Sequence, residues 1–129
     1  MIELERVKVM EQLREEQKEA LQVGQEYLIK LIAGMEELVP ELKGDRKEDT
    51  DDFMKQCLEG LNWLIQIYNV TSDYINEGKV RIEKEKVNES IQKFNEAIKS
   101  KDDKRIADSI EKNLLGFLHN LSKAIGEVI

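Results

Sequence analysis

A single cysteine, a single proline, a single histidine and a single tryptophan stand among 129 residues, and aromatic side chains make up only 5% of them. Each scarcity excludes something. One thiol, Cys57, cannot close an intrachain disulfide, so a disulfide-stapled scaffold is ruled out and a reducing, cytoplasmic setting is the simpler expectation. One proline and seven glycines leave few turn signals for a many-stranded sheet protein. Positive charge is also short: the formal balance of −7 removes the long-range attraction that a nucleic-acid backbone or an anionic lipid surface would require, so neither is expected as a partner. The amino terminus, MIELERVKVMEQLREEQ, is charged from its third residue, a pattern of neither a secretion signal nor a membrane span.

What the chain does have is charge of both signs, 36% of its residues, threaded through apolar positions at helical spacing. From Leu21 onward, Gly24, Leu28, Leu31, Met35, Leu38 and Leu42 recur at alternating steps of three and four, the seam of a packed helix. Pro40 would clash with the carbonyl of Glu36 in a straight continuation, so the first helix is expected to end or kink near Val39. Upstream, Leu4, Val7, Met10 and Leu13 carry the seam into residues 1–19, which form either a projecting arm of that helix or a separate short one. Thr50 with Asp51 and Asp52 suits the start of a second helix running to about Asn76, with the Thr50 hydroxyl accepting from an early amide and Gly78 as a left-handed stop. A third helix is expected to carry Val80, Val87, Ile91, Phe94 and Ile98, and a fourth Ile106, Ile110, Leu114, Phe117, Leu121, Ala124 and Val128. No linker or repeat divides the chain. The expected fold is all-α, one domain over residues 1–129, an antiparallel four-helix bundle with a long first helix.

The second helix carries more apolar surface than a corner position in such a bundle needs. Between Gly60 and Ser72 there is no charge at all. At 100° per residue, Met54, Cys57, Leu58, Leu64, Ile65, Tyr68 and Ile75 fall within roughly 60° of Leu61 and form the expected core stripe. Trp63, Ile67, Val70 and Tyr74 fall on the far side and form a second stripe with its own four-and-three spacing. Three things could cover it: the amino-terminal arm or a wide crossing of the first helix, a second copy of the chain across a two-fold axis, or a helix or extended segment of another protein.

Chemistry is sparse. A helical metal site of the di-iron type needs Glu-x-x-His pairs, and Gly116 stands three residues before His119. Glu11, Glu15, Glu16 and Glu19 lie on a charged helix face, and Cys57 falls on the core stripe, where a thiol is inert. From Lys79 to Arg105 nine bases face six acids, a solvated interleaving that lacks aromatic stacking partners apart from Phe94. No phosphate-loop glycine spacing occurs, and no cofactor or metal is expected.

Around His119, the stretch GFLHNLSKAIG resembles histidine phosphotransfer domains, helical bundles with an exposed histidine followed by leucine, lysine and glycine. His119, Leu121, Lys123 and Gly126 match loosely over about eight residues, with Ser122 where that family has its lysine. In outline, the size, the acidity, the lone cysteine and the second stripe with Trp63, Ile67, Val70 and Tyr74 resemble small bacterial export chaperones, including the flagellar ones, helical bundles that shield an aggregation-prone helix of a partner. That resemblance implies a non-enzymatic protein-binding module, chaperone-like or adaptor, working as a homodimer or on another protein through the stripe. Phosphotransfer through His119 is the alternative.

Overall fold

The computed structural model describes the backbone of residues 2–129 and the side chains from Glu5 onward. The chain is 86% helical, with no strand among the described residues. It folds into α1 (Ile2–Leu42), α2 (Thr50–Ile75), α3 (Lys84–Ser100) and a C-terminal helix made of α4 (Asp103–Ser109), a π-helical segment (Ile110–Leu114) and α5 (Leu115–Val128). These four rods are the expected bundle.

α1 organises the packing, lying along α2 on one side and along the C-terminal helix on the other, while α3 packs on α4 and the π segment. Every position of the predicted α1 seam from Leu21 to Leu42 is buried. Against α2 the contact is close because small residues face large ones: Gly24 lies beside Ile67 and Leu64, and Gly34 beside Cys57 and Phe53. Gly60 is the tightest case, since the hydroxyl end of Tyr27 lies where its side chain would be. These pairings run antiparallel. Tyr68 ties α2 to α5 by tilting onto Phe117, 6.4 Å between ring centroids.

α1 does not stop near Val39. It runs through Pro40 to Leu42, because proline in a last turn forfeits one amide bond and the chain still closes: Lys43 N–H donates to Val39 O at 3.0 Å and Asp45 N–H to Pro40 O at 3.2 Å. Thr50 does begin α2, but its hydroxyl does not cap it. It turns back, accepting from Lys47 N–H and donating to the buried Glu41 carboxylate, both at 2.8 Å.

α3 begins at Lys84, so Val80 belongs to a loop and stands exposed. Asn76 is the reason: its side-chain oxygen accepts from Arg81 and Ile82 N–H, and its amide donates to Ile82 O, so residues 77–83 wrap around one side chain and bury Ile82 instead. Gly78 supplies the positive φ of 82° this loop needs. At the α3–α4 corner Lys101 takes φ 56° and Asp102 caps α4 through Lys104 and Arg105 N–H.

The C-terminal helix widens over Ile110–Leu114, where Leu115 N–H donates to Ile110 O, five residues back, and Ile106, Ile110 and Leu114 are all buried.

Candidate functional surfaces

The second stripe of α2 is divided. Ile67 is half-buried against Gly24, and Tyr74 is half-buried beneath Arg14, whose guanidinium carbon sits 4.9 Å from the ring centroid. Arg14 also pairs with Glu77 at 2.6 Å, and Gln17 donates to Val70 O at 3.1 Å. Tyr27 meets Trp63 edge-on, centroids 5.3 Å apart and rings at 83°. A wide contact by α1 thus takes up part of the stripe, leaving Trp63 37% and Val70 68% exposed. The two stripes also share the buried arc differently from the wheel: Gly60 and Thr71 between them are buried, whereas Met54, Leu58 and Ile65 on the far edge of the core stripe are only half-buried.

Upstream of Arg14, α1 has no helix of its own chain packed on it among the described residues. Residues 5–16 are exposed, and Val7, Val9, Met10 and Leu13 lie between 49% and 63% open to solvent. Four large apolar side chains on about two helical turns is a substantial unpaired surface.

The remaining candidates resolve simply. Cys57 is buried, and its thiol is pushed up to about 11, first by burial and then by the carboxylates of Glu37 and Glu41. Glu11, Glu15, Glu16 and Glu19 are exposed. His119 is exposed, but its Nε2 faces the Glu36 carboxylate at 3.8 Å. Among the described residues, no three of His, Cys, Asp and Glu gather closely enough to hold a metal ion, and no helix is long and apolar enough to cross a membrane.

One surface goes beyond these residues. A groove of roughly 700 Å³ opens between the first half of α3, the loop before it and the outer face of the C-terminal helix. Lys79, Arg81, Lys86, Lys93, Lys112 and Lys123 line it against only Glu83, Glu89 and Glu127, with Phe117 and Ala124 below and Gly116 on its wall. Four of these bases belong to the basic run noticed in the sequence. Helical phase from α4 across the π segment supplies Lys112 and Lys123, which sequence distance hides.

Fold and surfaces together define a small all-α domain with uncovered apolar and charged faces. The chain belongs to the family described as Domain of unknown function (DUF8042), whose model matches residues 19–124, from the point where α1 enters the bundle almost to the end of α5. No curated protein and no solved structure matches the chain.

Proposed function

We propose that the protein is a non-enzymatic protein-binding module that self-associates through the α1 arm and the adjoining outer seam of α1 and α2. The observation that carries this is the arm itself: Val7, Val9, Met10 and Leu13 half exposed on a helix that continues past its own bundle partner. A second copy is the economical cover, since a two-fold axis pairs one such face with itself.

The arms alone make a weak contact. Covering a half-exposed side chain of this size contributes about 1 kcal/mol, so eight across two arms give roughly 8 kcal/mol against an association cost of about 4–15. Trp63 and Val70 are therefore assigned to the same interface, and the dimer is expected to depend on concentration. A client helix laid on that seam, the chaperone-like role, uses the same residues. Phosphotransfer through His119 has less support, because Glu36 sets a like charge against a phosphoryl group there.

Sedimentation of the wild type beside Leu13→Asp and Trp63→Asp tests this. A concentration-dependent dimer that becomes a folded monomer in both variants is the expected result. A wild type that stays monomeric up to millimolar concentration removes self-association, and a Trp63→Asp variant that unfolds places Trp63 in the core.

A further inference from the structure

The groove between α3 and the C-terminal helix carries three features that bear on what it can hold. The first is its charge. In a chain of net charge −7, its lining holds six bases and three acids. Arg81 is held by the fold, its guanidinium paired with Glu127 and donating to Ile75 O and Glu77 O, whereas Lys86, Lys93 and Lys112 lie within 4 Å of Glu83, Glu89 and Asp108 in exposed pairs that an incoming carboxylate can exchange at little loss. Lys79 and Lys123 have no such partner among the described residues.

The second is Gly116. It sits in the first turn of α5, is exposed, and a side chain added there would meet no atom within 4 Å. Gly24 and Gly60 have neighbours that account for them, whereas Gly116 weakens its helix relative to alanine for no contact within the chain. An exposed glycine on a groove wall lets another backbone come close. The third is the regular row of Asn113, Gly116, Asn120, Lys123 and Glu127 along the groove wall, which begins inside the π segment and continues through α5.

We propose that this groove receives an amphipathic helix of a partner protein, acidic along its flanks, laid against the C-terminal helix with its backbone crossing at Gly116. From Asn113 to Glu127 the wall is about 21 Å long, room for roughly four turns at 1.5 Å per residue. Exposed Val80 at the rim meets the apolar side of the guest, and Lys79 and Lys123 meet its carboxylates. Glu83, Glu89 and Glu127 interleaved among the bases would repel a polyphosphate backbone at fixed spacing, whereas a peptide can place its acids between them.

The test uses fluorescence anisotropy with the full chain and a labelled 16-residue helical peptide, leucine at one in every three or four positions and glutamate on both flanks. Two control peptides carry lysine in place of glutamate, or the same composition scrambled out of phase. The acidic helix is expected to bind at least tenfold more tightly than either control, and more weakly as salt rises. Gly116→Phe and the pair Lys79→Glu with Lys123→Glu should each reduce binding at least tenfold while circular dichroism and thermal midpoint stay near wild type. Gly116→Ala should raise the thermal midpoint by a few degrees, about 4 °C, because nothing in the chain opposes the added methyl. Equal binding of the lysine peptide or the scrambled peptide overturns the proposal. So do undiminished binding by Gly116→Phe and preferential binding of a 16-nucleotide single-stranded DNA probe in place of the acidic peptide.

Discussion

Gly60→Ala is the most discriminating change that the α1–α2 interface offers, because its sign depends on one side chain across the interface. In an isolated helix the substitution stabilises by about 1 kcal/mol through backbone entropy. Here the new methyl would lie 2.7 Å from Tyr27 Cζ and 2.8 Å from Cε1, with the hydroxyl closer still. Tyr27 must then move, and its edge contact with Trp63 at 5.3 Å goes with it. Overpacking of this kind costs about 1–3 kcal/mol and the aromatic pair about 1 more, so a net loss of about 2 kcal/mol is expected. In urea that lowers the unfolding midpoint by roughly 1 M at unchanged slope. The decisive measurement is the same change in a Tyr27→Ala background, where the obstacle is gone and Gly60→Ala should stabilise by up to about 1 kcal/mol. A stabilising Gly60→Ala in the wild type, or two additive losses in the double mutant, would refute the close packing of Tyr27 over Gly60.

Other outcomes follow from the polar groups that the fold encloses. Thr50→Val keeps the shape of a fully buried side chain but strips the Glu41 carboxylate of its hydroxyl donor, and should destabilise by about 2 kcal/mol in chemical denaturation, with Thr50→Ser close to wild type. Cys57 should resist Ellman's reagent at pH 8 in the folded protein and react at once in denaturant, since its thiol is both buried and pushed up to about 11. Because the folded state holds that proton more tightly than the unfolded chain, the contribution of this thiol to stability should be level below about pH 9 and decline between there and about pH 11. Cys57→Ala should make the alkaline decline shallower, as followed by the urea midpoint, with buried Tyr68, also raised by burial, supplying part of what remains.

Helix content was legible because it is a local property written repeatedly. The α1 seam from Leu21 to Leu42 states its period six times, and Phe94, Phe117 and Leu121 fall inside as their spacing implies. Boundaries were less legible where one polar side chain decided them. Asn76 gathers three backbone groups of residues 81 and 82 and so delays α3 to Lys84, and no periodicity carries that information. Pro40 misled for a related reason: its ring costs α1 one backbone bond, yet the turn beyond it still closes through Lys43 and Asp45 N–H, and the sequence does not show that closure.

By itself the sequence determined an all-α chain of four amphipathic helices, since a 3.6-residue apolar period with one proline and few turn residues admits little else. It also marked α2 as apolar on two sides. Only the tertiary structure decided how that second stripe is shared, with Tyr27, Arg14 and Gln17 of α1 laid across part of it and Trp63 and Val70 left open, because the offset between two packed helices depends on which glycine accepts which large side chain. Only the tertiary structure, too, brought Lys79 and Arg81 to the same groove as Lys112 and Lys123, across more than thirty residues, by folding α3 back onto a C-terminal helix whose phase a single wide turn resets.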